Sequence, residues 1–86
     1  MAMNLAPAIH EIVVDGLTYL NDLPDWDFDE LSEPYRVFRQ VSSHLRIDIE
    51  SPEFQCWQDV FDALVDEARL YGVRVSRTRS GTYRFR

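Results

Sequence analysis

The sequence predicts a small α+β domain in which three helices pack on a small antiparallel sheet that ends in a C-terminal β-hairpin, in the order α-α-β-α-β-β. Three observations predict it. Apolar residues recur at helical spacing in three segments. The stretch after residue 72 alternates like two short strands around a glycine-containing turn. The 86 residues, 45% of them apolar, suffice for one core, so residues 1–86 form a single domain. A chain this short buries only about 60–65% of the surface its unfolded form exposes, so that core has little to spare.

The first helix is expected from about Pro7 to Asn21. Ile9, Ile12, Val13, Gly16, Leu17 and Leu20 form one buried face, and Pro7 suits the first turn. Residues 21–32 read as a loop. Ser32 is then an N-cap for a second helix with Glu33 and Pro34 in its first turn, and with Tyr35, Phe38, Val41 and Leu45 facing inward. From Leu45 to Glu50 the residues alternate strictly, Leu45, Ile47 and Ile49 against Arg46, Asp48 and Glu50, which predicts a half-buried strand. Ser51-Pro52 looks like a cap and first residue opening a third helix. Its broad apolar face (Phe54, Trp57, Phe61, Leu64, Val65, Ala68, Tyr71), with a second flank of Val60, Ala63 and Leu70, would make it the central element. Gln55, Asp59, Asp62, Asp66 and Arg69 would form one narrow polar stripe along it, and Gly72 suits the residue after its end.

The final segment has one satisfactory pairing. Val73 and Val75 must share a face with Tyr83 and Phe85, and a two-residue loop would place Val75 opposite an arginine. A three-residue loop, Arg79-Ser80-Gly81, pairs Val75 with Phe85 and Thr78 with Thr82, and puts glycine where a left-handed residue is needed.

Charge is divided between the two ends. The chain has net charge −6 from 15 acids and nine basic residues, all of them arginine. An acidic helical body spans residues 1–71 and an arginine-rich hairpin residues 72–86. Residues 1–68 carry every acid and only three arginines, whereas residues 69–86 carry six arginines and no acid. Arginine suits bidentate pairing with carboxylate or phosphate. In the preferred register Arg74 faces Arg86 with Arg84 beside them, and like charges directly opposite destabilise a strand pair. Either Asp48 and Glu50 neutralise them from a third strand in the same sheet, or an external anion does. Arg79 points into solvent at the tip, and Arg77 lies beside the Tyr83 ring.

Few motifs carry chemistry. Asp25-Trp26-Asp27-Phe28-Asp29-Glu30 has an acid at alternate positions, like the start of a calcium loop. The glycine required at the sixth position is Glu30, however, and the glutamate required at the twelfth is Arg36. These six residues either close the core and favour the start of the second helix, or recognise a basic partner surface. His10, His44 and Cys56 stand at no metal-ligand spacing, and Cys56 is expected to act as a small apolar residue on a helix flank. The three glycines stand alone, so no phosphate loop is possible. No catalytic residue, cofactor or metal is therefore expected. One cysteine allows no internal disulfide, and the first ten residues have no basic or long apolar stretch. These features predict a cytoplasmic protein without signal peptide or membrane span.

Two functional expectations follow. The first is a non-enzymatic protein-interaction module, an inhibitor or accessory protein of the phage or mobile-element type. It would bind a basic, nucleic-acid-binding partner through Asp25, Trp26, Asp27, Phe28, Asp29, Glu30, Asp59, Asp62 and Asp66. The alternative is a nucleic-acid binder that contacts phosphates through Arg74, Arg77, Arg79, Arg84 and Arg86. Its order of helices, short strand, helix and arginine hairpin resembles the winged-helix architecture in outline. It departs from that architecture in having one helix, with an acidic stripe, where a winged helix has two. The net charge disfavours nucleic acid.

Overall fold

A computed structural model describes residues 3–23 and 29–86. The element order is α1 (Pro7–Asp22), α2 (Glu33–Leu45), α3 (Trp57–Leu70), β1 (Val75–Arg77) and β2 (Tyr83–Phe85), a small α+β domain of three helices and a two-stranded antiparallel sheet. Val13, Leu17 and Leu20 of α1, Phe38, Val41 and Leu45 of α2, and Val60, Leu64 and Ala68 of α3 are almost wholly buried together. Helix α1 rather than α3 is the central element, because it packs against α2, α3 and β2. Its close approach to α2 depends on Gly16, where an added Cβ would collide with the Val41 side chain.

Helix α2 begins as its sequence dictates. The Ser32 hydroxyl accepts a hydrogen bond from the Tyr35 amide at 3.3 Å, satisfying one of the free donors of the first turn. Its four predicted apolar positions are all buried.

The strand predicted over 45–50 does not form. Leu45 is the last residue of α2, and Arg46 turns the chain in the left-handed conformation (φ 60°, ψ 40°). Ile47 then donates to the Ser42 carbonyl at 2.9 Å, a bond that closes a helix C-terminus. The Asp48 carboxylate accepts from the Glu50 amide at 3.1 Å and bends the backbone again. Alternation here is a by-product of two turns, and among the described residues no strand pairs with it.

The third helix likewise starts at Trp57 and not at Ser51-Pro52. Phe54 donates to the Ser51 carbonyl in a separate turn, and Asp59 in the first turn of α3 reaches back to accept from the Gln55 amide at 3.0 Å. Gln55 thus lies outside the helix whose stripe it was expected to join. Cys56 is the exposed N-cap residue and not a flank residue. Leu70 of the second flank is 54% exposed.

Helix α3 ends as expected, with Gly72 at φ 89° and Val73 donating to the Ala68 carbonyl at 3.0 Å. The hairpin that follows has the predicted register, Val75 opposite Phe85, Ser76 opposite Arg84 and Arg77 opposite Tyr83. Gly81, at φ 89°, takes the left-handed turn position. Phe61 of α3 ties the hairpin to the body, its ring centroid 6.3 Å from those of both Tyr83 and Phe85.

Candidate anion-binding face of the hairpin

Alternation along β1 and β2 sorts the hairpin side chains into two faces. Val73, Val75 and Phe85 turn toward the core, with Tyr83 half-buried beside them and Arg77 6.0 Å above the Tyr83 ring. The opposite face carries Arg74, Ser76 and Thr78 from one side and Thr82, Arg84 and Arg86 from the other, following the register. Arg74 and Arg86 are directly opposed, exchanging backbone hydrogen bonds of 3.0 and 2.9 Å. Thr78 donates to the Thr82 carbonyl at 2.8 Å, and the hydroxyls of Thr78, Ser80 and Thr82 bond to one another at the turn. Arg74, Arg77, Arg79, Arg84 and Arg86 are all exposed.

No carboxylate neutralises this face among the described residues. The ion pairs there are Arg36–Glu33 at 3.2 Å and Arg69–Asp66 at 3.6 Å, both exposed pairs within single helices. Asp48 and Glu50, the expected internal partners, belong to a loop bordering Arg39, Ser42 and Ser43 of α2. One acid of α1 borders the face. Asp22 and Thr18 form one wall of a groove of about 410 Å³ whose other wall includes Arg84, Arg86, Thr78 and Thr82. Glu11, Asp15 and Asp22 form an exposed row along α1, their carboxylates making no hydrogen bond or ion pair to another described residue.

The side chain of Asn21 closes one edge of the sheet. Its amide nitrogen donates to the Tyr83 carbonyl at 3.0 Å, and its amide oxygen accepts from the Tyr83 N–H at 3.2 Å, as a third strand would. Nothing in the local sequence marks this contact, which joins residues 62 apart.

The predicted acidic surface is not brought together in the same way. Asp25, Trp26, Asp27 and Phe28 lie outside the described residues. Asp29 shapes the entry to α2, its carboxylate accepting from the Leu31 amide at 3.0 Å and its carbonyl from the Ser32 hydroxyl at 2.7 Å. Glu30 is exposed. On α3, Asp59 accepts from the Gln55 amide that precedes the helix, Asp62 accepts from Gln58 at 3.1 Å and Asp66 pairs with Arg69. Buried Tyr35 has its hydroxyl pKa raised, first by burial and then by the carboxylates of Glu30 and Glu50, against a lowering by Arg39.

A second basic feature escaped the sequence reading. All three arginines of the acidic body, Arg36, Arg39 and Arg46, are exposed on α2 or at its C-terminal cap, with Gln40 and Ser43 between them. Their spacing of three and seven residues was legible as one helix face.

Among the described residues, no three His, Cys, Asp or Glu side chains are grouped as a metal site requires, and no helix is long and apolar enough to cross a membrane. No protein-family model matches the chain, and no curated protein or solved structure shows significant similarity to it.

Proposed function

We propose that this chain is a non-enzymatic protein-interaction module whose working surface is the arginine face of the hairpin, and that its partner presents carboxylates. One observation carries the reading: Arg74, Arg84 and Arg86 share one exposed face with no carboxylate bonded to any of them among the described residues. Bidentate, charge-assisted hydrogen bonds to carboxylates would relieve that repulsion and fix the partner's orientation. A continuous phosphate backbone fits less well. It would pass Asp22, Asp15 and Glu11 on the neighbouring helix, and the exposed acids of α3 (Asp62 and Asp66) make that helix a poor groove reader.

The test is binding of fluorescent polyglutamate and of a 20-base-pair DNA duplex at about 20 mM salt, with wild type beside an Arg74/Arg84/Arg86→Ala variant. Polyglutamate should bind wild type, weaken as salt rises, and lose about tenfold or more in affinity in the variant, equivalent to about 1.4 kcal/mol. Equal affinity in the two proteins would overturn the reading. Preference for the duplex would replace the partner class.

The second reading is a basic partner held by the acidic body. The unengaged row of Glu11, Asp15 and Asp22 favours it, as does the exposure of Asp62 and Asp66. Binding of a polyarginine peptide that survives loss of the hairpin arginines and disappears in a Glu11→Gln, Asp15→Asn, Asp22→Asn variant would support it.

A further inference from the structure

The hydrogen-bond pattern of the hairpin leaves one sheet edge open. In an antiparallel pair, opposed residues alternate between those that exchange backbone bonds and those that do not. Arg74 and Arg86 exchange them, and Thr78 bonds to Thr82, so Ser76 and Arg84 form the bonded pair between. The N–H and C=O groups of Val75, Arg77, Tyr83 and Phe85 therefore point away from the partner strand. On the β2 side Asn21 takes both groups of Tyr83, and α1 packs along that edge. On the β1 side the groups of Val75 and Arg77 bond to no described strand or side chain. The open edge holds no proline, bulge or left-handed residue that would stop a strand from joining it.

The side chains next to this edge select the occupant. A strand laid along β1 would continue both faces of the sheet. Its side chains on one face would lie beside Arg74 and within reach of Arg84 and Arg86, and those on the other beside half-buried Val75. An acid at every second position meets the first requirement and an apolar residue between acids the second. A second copy pairing β1 with β1 would instead bring two sets of arginines together.

Building on the proposed protein-binding role of the arginine face, we infer that β1 takes an extended segment of a partner protein, alternating acidic and apolar, as a third strand. Backbone bonds to Val75 and Arg77 supply the register, and carboxylates on the Arg74, Arg84 and Arg86 face supply the selectivity.

The probe is an eight-residue peptide of alternating glutamate and valine with blocked ends, titrated at low salt with amide hydrogen exchange as the readout. Saturation should slow exchange of the Val75 and Arg77 amides by about tenfold or more while leaving the Phe85 amide unchanged. Proline at 77 removes an outward donor that the hairpin does not use, so Arg77→Pro should bind at least tenfold more weakly than Arg77→Ala. The exchange measurement needs no variant and stands even if the proline protein folds poorly. A peptide that protects neither amide overturns the inference, as does a folded Arg77→Pro protein that binds as well as Arg77→Ala. If such binding still depends on Arg74, Arg84 and Arg86, the arginine-face reading survives without the strand. If neither this peptide nor polyglutamate binds wild type, the reading of the face falls and the strand with it. A duplex that displaces the peptide from the same arginines overturns the inference in favour of nucleic acid.

Discussion

Replacing Arg74 by glutamate should make the free protein more stable and a poorer binder. Arg74 lies directly opposite Arg86 and diagonal to Arg84. Two guanidinium groups about 7 Å apart repel by about 0.6 kcal/mol in water, which salt at 0.15 M cuts to roughly half. Alanine at 74 removes the repulsion, and glutamate converts it to attraction. The expected gain for glutamate is about 0.5–1 kcal/mol, in line with measured cross-strand charge pairs, and alanine should give about half of that. For a domain of this size the gain raises Tm by roughly 3–6 °C at low salt. Glutamate also makes a chain of net charge −6 more acidic, which opposes the gain. Arg79→Glu supplies the control, because it changes net charge equally at the hairpin tip, where no arginine stands opposite. Thermal melts followed by circular dichroism, repeated at 0.5 M salt where the difference should shrink, measure the effect. If Arg74→Glu melts no higher than Arg79→Glu, the arginines are already neutralised, and the reasoning that gives this face a function is wrong.

Three further outcomes follow from the packing. Gly16→Ala gains up to about 1 kcal/mol in helix propensity but drives a methyl into stiff, buried Val41. A net loss of roughly 1–2 kcal/mol in urea melts is expected, partly recovered when Val41→Ala is added. Asn21→Ala strips two hydrogen bonds from Tyr83, so about 1–3 kcal/mol should be lost, and exchange at the Tyr83 amide should quicken more than elsewhere in the hairpin. The raised pKa of Tyr35 favours its neutral hydroxyl in the fold. The stability it contributes is therefore complete below the ordinary tyrosine value near 10 and falls as pH rises from there through the folded-state value, so Tyr35→Phe should show a shallower alkaline loss in a pH series of melts.

The parts of the fold legible in the sequence were those set by local chemistry. A serine three residues before Tyr35, the left-handed glycines at 72 and 81 and a parity argument over fourteen residues placed the start of α2, the end of α3 and the hairpin register. The misreadings came where one pattern has two physical sources. Alternation over 45–50 satisfies a strand, but a left-handed turn at Arg46 and the Asp48 side chain produce it too. Ser51-Pro52 has the chemistry of a helix start, yet Asp59 reaching back to Gln55 fixes the start at Trp57 instead. The arginine face followed directly from the register. The isolation of that face did not, because it depends on where Asp48 and Glu50 go, and a turn one residue long decides that. The open edge needed Asn21, whose contact with Tyr83 is visible only in three dimensions.

Arginines beside an open strand invite a simpler explanation, that they keep other chains from pairing with it. That explanation covers part of the set. Arg74 and Arg77 lie on or beside β1, whose edge is open, and charge there would guard it. Arg84 and Arg86 lie on or beside β2, whose own edge already has Asn21 and α1 against it. Guarding does not require charge on that strand, and it does not require both members of the opposed pair at 74 and 86 to carry the same sign. Glutamate at either position would guard the edge equally well and stabilise the hairpin besides. A chain with 15 acids places none within its last eighteen residues. A local rule broken on both strands, with no compensating contact among the described residues, supports the proposed reading of a surface whose complement lies on another molecule.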